Sequence, residues 1–494
     1  MQDEPTGQIT HEERTAWLDS HEAGYAQGLK PRQVQMIAIG GAIGTGLFLG
    51  AGRRLQSAGP ALAIVYLVCG LFSFLILRAL GELVMHRPTS GSFVSYAREF
   101  MGERGSFVAG WMYYLNWAMT GIVDTTAAAL YMKYWSVFGG VPQWVFAFIA
   151  MALVGGMNLI AVSWFGEMEF WFSIVKVGAL VLFLIIGVVI LLTGHHVAGQ
   201  VPGLQLISEN GGIFPHGILP AVIIVQGVVF AYAGIELIGI AAGEAQNVKQ
   251  VLPRAINSVM YRIALFYVGS VALLVMLMPW TAYHARTSPF VTFFGALGVP
   301  GIGTVMNIVV LTAALSSLNS GLYSTGRVLR SLAMGGSAPS LVAKMNKQKV
   351  PYAGILVTLV IYFIGVILNY LVPSQVFEIV LNIASLGIVS TWAFIVVCQM
   401  MLRRAIKRGE VPAVSFRMPF APLSSWLTLA FLLAVLVLTA FDYPDGTFTI
   451  AAIPVVAVLL LIGWVWLKGS NPFSPTVPSY TLTKLVADKD EDPR

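Results

Sequence analysis

Residues 40–46 read Gly40-Gly41-Ala42-Ile43-Gly44-Thr45-Gly46, and residues 230–236 read Phe230-Ala231-Tyr232-Ala233-Gly234-Ile235-Glu236. Both stretches lie inside apolar runs long enough to cross a bilayer, yet neither reads as continuous helix. Glycine weakens a helix by about 1 kcal/mol relative to alanine. Four glycines in seven residues therefore favour an unwound first stretch. Irregular backbone at bilayer depth is stable only where it lines a cavity within the protein. Close glycine-mediated helix packing is the competing explanation, and the position of the two stretches in the chain decides between them.

A membrane helix needs roughly 20 mostly apolar residues. Twelve such runs occur, near residues 34–53, 60–84, 107–136, 143–162, 170–193, 218–242, 256–280, 302–333, 353–372, 377–401, 424–442 and 448–467. The interrupted runs are the first and the sixth. Five spans separate them, an odd number, so the second block of five enters the membrane from the opposite side. Discontinuous helices in matching positions of two inverted halves mark a substrate site at the midplane. The expected organisation is an N-terminal segment (1–30), a first repeat (31–193), an outer loop (194–217), a second repeat (218–402), two appended helices (403–468) and a mobile tail (469–494). The expected fold is an all-α polytopic membrane protein with 12 transmembrane helices. A carrier of small solutes is the leading functional class.

Composition agrees. Of 494 residues 57% are hydrophobic and 11% charged, with mean hydropathy +0.78. Soluble domains carry roughly 25% charged residues, so a soluble enzyme, a disordered chain and a fibrous protein are excluded. The net charge of +6 reports topology, because Lys and Arg fall between the spans. Placing the N-terminus in the cytoplasm puts 24 of the 29 basic residues on that side and four outside, with Lys176 inside a span. This asymmetry predicts cytoplasmic termini. The first 30 residues are polar and acidic, with no basic n-region leading into a short apolar core, so no cleavable signal is expected. Cys69 and Cys398 lie in apolar runs and form no CxxC pair.

Several chemistries lack their residues. All seven histidines lie in tails or loops, and neither a Gly-Lys dipeptide nor an HExxH motif occurs, so haem, P-loop nucleotide and zinc sites are not expected. No cofactor, metal, nucleic acid or obligatory protein partner is implied, and an enzyme is disfavoured. An ion channel remains an alternative, although channels use rings of repeated polar groups and this chain has isolated charges.

A charge inside a span costs at least about 2.5–3.5 kcal/mol on insertion scales, which makes each one a functional candidate. Lys176 stands in the fifth span, where it either snorkels to the interface or exchanges a proton during transport. Glu236 follows the sixth-span interruption, as a cap for exposed N–H groups or as a second protonatable group. Asp124, with Thr120 one turn before it on the same face, either touches a polar substrate or bonds a neighbouring helix. The eighth span carries Thr312, Ser316, Ser317, Asn319 and Ser320, suited to close packing or to hydroxyl contacts with a ligand.

Met36-Ile-Ala-Ile-Gly-Gly-Ala-Ile-Gly-Thr-Gly-Leu-Phe48 resembles the first-helix signature of bacterial amino acid permeases of the amino acid–polyamine–organocation superfamily. Gly81-Glu82 with Pro88 and Gly91-Ser-Phe93, Glu169-Phe-Trp-Phe172 with Lys176, Gly234-Ile-Glu236 with Gly243-Glu244, and Ser317-Leu-Asn-Ser-Gly-Leu-Tyr323 with Ala338-Pro339 resemble further motifs of the family, in order. Val248 departs from it where proline often follows the residue at Asn247. Gln33-Val-Gln-Met36, Ala58-Gly-Pro-Ala-Leu62, Gly110-Trp-Met112, Thr120-Gly-Ile-Val-Asp124, Pro351-Tyr-Ala-Gly-Ile355 and Phe441-Asp-Tyr443 are most similar to the branch that carries L-asparagine. Asp124 is also similar to the glycine/alanine/serine branch.

The resemblance implies a five-plus-five inverted repeat of the LeuT type in the bacterial inner membrane, and proton-coupled uptake, with exchange as the alternative. It implies that the substrate α-carboxylate meets N–H groups of Gly44, Thr45 and Gly46, in accord with the attraction of a helix N-terminus for anions. The α-ammonium would face carbonyls of Ala42, Ile43, Phe230 and Ala231, with Phe230 as an aromatic gate. Lys176 resembles the family lysine that stands where related sodium-driven carriers hold a sodium ion. Beside Ser316 and Ser317 its ammonium would repel sodium.

Overall fold

The computed structural model describes residue 36 and residues 43–88, 92–160, 162–237 and 248–469. Among them regular structure is helical, apart from one isolated antiparallel bridge between Val197 and Gln200. Eight helical segments are long and apolar enough to cross a membrane: Gly50–His86, Gln143–Ile160, Gly166–Thr193, Leu252–Leu277, Ile302–Met334, Tyr352–Leu371, Val376–Lys407 and Asp445–Leu467. Ile218–Ala231 and Leu423–Thr439 are apolar but shorter. Ser92–Met132 runs for 41 residues with a kink at Gly102.

The exterior is apolar. Ile64, Leu67 and Leu71 on one helix, Trp171, Ile185 and Val189 on another, and Val455, Leu459, Ile462 and Trp466 on the last all stand exposed. The interior meanwhile holds Asp124, Glu169, Lys176 and Glu236. In water such an arrangement would leave the apolar side chains exposed; in lipid they face a solvent that suits them, while the charges stay inside among protein groups.

Most spans expected from hydropathy are helices with nearby ends. The runs at 60–84, 143–162, 302–333, 353–372, 424–442 and 448–467 become Leu62–His86, Gln143–Ile160, Ile302–Met334, Tyr352–Leu371, Leu423–Thr439 and Asp445–Gly469. Three are longer than expected. The fifth helix begins at Val162, the third at Ser92, and the tenth continues to Lys407. Each extension carries charged residues, which lower hydropathy without breaking helical hydrogen bonding. The expected N-terminal segment, the tail from residue 470, and Gly40, Gly41 and Ala42 lie outside the described residues.

The Ser92–Met132 helix packs chiefly on Val376–Lys407 and Ile302–Met334, and Val376–Lys407 also packs on Leu62–His86 and Val225–Ala231. Charged pairs fix both ends of Val376–Lys407. Near its start Glu378 accepts from Arg54 Nη2 at 3.1 Å, while the adjacent Arg53 pairs with Asp445. Near its end the buried Glu82 accepts from Arg403 Nε at 2.8 Å and Nη2 at 3.0 Å, from Gln399 Nε2 at 2.9 Å and from the Met418 N–H at 3.0 Å.

One further feature bears on the site. The seventh helix, Val248–Arg262, passes into a π-helical turn at Ile263–Gly269 before resuming at Ser270–Leu277. Tyr267 in that turn stacks on Tyr232 with ring centroids 4.6 Å apart, and the Tyr232 hydroxyl donates to the Tyr66 carbonyl at 2.7 Å. Single-turn π segments occur frequently at functional sites, and this one braces the segment where the sixth helix ends.

Candidate functional site

Gly44 is extended, at φ −136° and ψ −158°, and helix begins at Thr45. It runs Thr45–Phe48 and, after Leu49, Gly50–Ala58. Thr45 and Gly46 are thus helical, against the expectation that the whole of 40–46 is unwound. A side chain at Gly46 would place its Cβ 2.6 Å from the Ala231 Cα; only glycine permits this approach. The helix Val225–Ala231 stops there, and Tyr232–Glu236 pass through turns. Gly234, at φ +87°, takes a conformation that a side chain would disfavour.

The start of one helix therefore lies against the end of another. The first N–H groups of a helix lack intrahelical partners, which leaves those of Gly44, Thr45 and Gly46 at this junction. The Phe230 carbonyl accepts from the Ala233 N–H at 3.0 Å, whereas among the described residues no turn hydrogen bond ends on the Ala231 carbonyl. Ile43 and Phe230 are buried beside them.

Side chains from two more helices close the group. Thr45 Oγ1 donates to Asp124 Oδ1 at 2.8 Å. Asp124 is fully buried, and among the described residues its Oδ2 has no hydrogen-bond partner. The Ser317 hydroxyl approaches this carboxylate without closing a bond onto Oδ2, and Ser317 Oγ lies 3.6 Å from where a Gly44 Cβ would stand. Thr120 is buried one turn before Asp124, but its hydroxyl turns to Asn116 Oδ1 at 3.3 Å. The structure thus brings together Ile43, Gly44, Thr45, Gly46, Asp124, Phe230, Ala231 and Ser317, and sets Thr120 a turn away. Ala42 lies outside the described residues.

Lys176 belongs to an adjoining group. Its ammonium is turned into the protein, donating to Ser316 Oγ at 2.8 Å and facing Glu169 Oε1 at 3.4 Å. Ser316 Oγ lies 2.7 Å and 2.8 Å from the two Glu169 oxygens, and Ser173 Oγ donates to Oε1 at 3.4 Å. Lys176 and Asp124 also interact electrostatically. Hydropathy starts this span at residue 170 and so leaves Glu169 outside it. A signal was available: Glu169 and Lys176 are seven residues apart, two helical turns, and share a face.

Glu236 is buried, and among the described residues neither carboxylate oxygen closes a hydrogen bond. Its neighbours are the N–H groups of Gly234 and Glu236 and the Trp392 indole, with the Tyr113 phenol close enough to interact electrostatically. Among the described residues no three or more His, Cys, Asp or Glu side chains cluster to hold a metal ion. The junction does bring a helix start at Thr45, the Asp124 carboxylate and the Thr45 and Ser317 hydroxyls together, donors and acceptors of the kind a small zwitterion needs.

The family model for amino acid permeases matches residues 33–474, and the chain belongs to that family; it is a multi-pass membrane transport protein and not an enzyme. It is 69% identical to the L-asparagine permease of Escherichia coli, over 98% of this chain and 95% of that protein. It is 68% identical to the L-asparagine permease of Salmonella typhimurium, over 92% and 91%, and 58% identical to that of Streptomyces coelicolor, over 90% and 91%.

Proposed function

We propose that this protein imports L-asparagine across the bacterial inner membrane together with a proton, by alternating access in a LeuT-type five-plus-five arrangement of 12 spans with the first and sixth broken. The observation that carries the proposal is the buried Asp124 carboxylate, bonded by Thr45 at Oδ1 and, among the described residues, unpartnered at Oδ2, beside the helix start at Thr45. In this reading the N–H groups of Gly44, Thr45 and Gly46 bind the α-carboxylate, and carbonyls of Ala42, Ile43, Phe230 and Ala231 receive the α-ammonium. Phe230 closes the site, and Asp124 accepts from the side-chain carboxamide, whose NH₂ supplies two donors. Ser317 and Thr120 offer hydroxyls to the amide oxygen, Thr120 after releasing Asn116. The names of the three relatives support asparagine as the substrate.

Proton coupling rests on Lys176, whose bonds to Ser316 and Glu169 hold an ammonium where a sodium ion would be repelled. Glu236, buried with its oxygens unengaged, is the second protonatable group. Both termini lie in the cytoplasm in this scheme. Exchange of internal for external amino acid is a second mode the same site supports, as is glycine, alanine or serine as substrate. A competition panel against uptake of labelled asparagine separates the substrates. Unlabelled asparagine is expected to compete best and aspartate poorly; stronger competition by glycine, alanine or serine would overturn the assignment.

A further inference from the structure

We propose that Glu169, besides Lys176 and Glu236, is a further proton-carrying residue, joined to Lys176 through the Ser316 hydroxyl. This rests on Lys176 as the coupling residue and adds to it a partner and a path.

The geometry is that of a relay. Ser316 Oγ accepts from Lys176 Nζ at 2.8 Å while donating to Glu169, whose oxygens stand at 2.7 and 2.8 Å. The direct Lys176–Glu169 separation, 3.4 Å, is longer than either serine bond. A charge-assisted N–H···O bond to a carboxylate runs about 2.7–2.9 Å, so the serine path is the better-formed one. Along it the Ser316 O–H bond breaks as its proton passes to a Glu169 oxygen, and one N–H bond of Lys176 breaks as its proton passes to Ser316 Oγ. The products are a neutral amine, an intact serine and a carboxylic acid. No charge leaves the group, and no heavy atom need travel.

The surroundings favour a group that gains and loses one proton. Lys176, Glu169 and Ser316 are all buried, and the carboxylates acting on Lys176 are Glu169 and Asp124. Ser173 adds a hydroxyl from the same helix. The helices Gln143–Ile160 and Ser270–Leu277, packed on this span, carry no ionisable side chain, and the π-helical turn adds Tyr267, stacked on Tyr232. With Lys176 charged and both carboxylates ionised the set carries one negative charge; one proton taken from outside makes it neutral. A buried uncompensated charge is costly, so loading that proton removes a cost, and the relay lets Glu169 hold it while Lys176 changes partners.

Purified full-length protein in liposomes tests this with two readouts: counterflow of labelled L-asparagine without a gradient, and accumulation under an imposed pH gradient. One pH unit sustains about tenfold accumulation for one proton per substrate. In Glu169→Gln the ratio of gradient-driven accumulation to counterflow is expected to fall about tenfold, with a flattened pH profile, and Glu169→Asp to restore part of it. Ser316→Ala is expected to act as Glu169→Gln does and Ser316→Thr to rescue, which decides the matter if Glu169→Gln yields no folded protein. Lys176→Ala separates the premises. Normal pH-driven accumulation in Lys176→Ala overturns Lys176 as coupling residue. Loss in Lys176→Ala with an unchanged ratio and pH profile in Glu169→Gln, or in Ser316→Ala, overturns the relay alone.

Discussion

Asp124 has one oxygen held by Thr45 and, among the described residues, the other without a hydrogen-bond partner, and the selectivity proposed for it rests on that asymmetry. In the proposed site the backbone at the junction would read only the α-amino and α-carboxyl groups that every amino acid shares. Discrimination has to come from a side chain facing the substrate's own side chain. A hydrogen bond to a charged group is worth about 1.5–3 kcal/mol, roughly 10- to 100-fold in kcat/KM. Asp124→Leu is therefore expected to reduce asparagine uptake by that factor and alanine uptake by less. Asp124→Asn removes the repulsion of a second carboxylate and is expected to weaken rejection of aspartate. Competition assays on both variants check this, and an unchanged preference in Asp124→Asn would make the residue structural. Gly46 provides a second test at this scale. A Cβ there would meet the Ala231 backbone at 2.6 Å, and backbone cannot turn aside as a side-chain tip can. Overpacking of this kind costs about 1–3 kcal/mol. Gly46→Ala is expected to lower both the melting temperature in detergent and asparagine uptake, measurable by thermal shift and transport on one preparation.

The helix Val376–Lys407 carries a charged clasp at each end: Glu378 to Arg54 and Arg403 to Glu82. Glu82 is buried and accepts four hydrogen bonds, so removing the arginine leaves a carboxylate short of compensation. Breaking a buried pair from one side typically costs about 3–5 kcal/mol. Arg403 is partly exposed, which sets the expectation at the lower end. Arg403→Leu should melt below the parent protein, and Glu82→Gln combined with Arg403→Leu should recover part of the loss, since the double variant buries no unpaired charge. Elements of this kind were only partly legible in the sequence. Apolar runs located helices such as Leu62–His86 and Ile302–Met334 closely, because lipid demands an unbroken apolar stretch. The same criterion cut the fifth helix short at residue 170 and concealed Glu169, because a carboxylate turned toward the protein interior looks in one dimension like the end of a span. Partners across helices, such as Thr45 with Asp124 or Lys176 with Ser316, depend on packing geometry that no local pattern encodes. The π-helical turn at Ile263–Gly269, with Tyr267 stacked on Tyr232, was equally hidden, because that contact joins residues distant in the chain.

For the whole molecule, the distribution of basic residues predicts that both ends of the chain face the cytoplasm. A reporter enzyme active only outside the inner membrane, fused after residue 494, should stay inactive, whereas fusion within 194–217 should activate it. The central claim is that the proton gradient drives asparagine inward through this chain. Its most direct measurement is uptake of labelled L-asparagine into liposomes containing the purified protein, acid outside, with sodium absent. Accumulation above the external concentration, collapsed by a protonophore and unaffected by an added sodium gradient, is the predicted result. Uptake that ignores the pH gradient and follows sodium would contradict it.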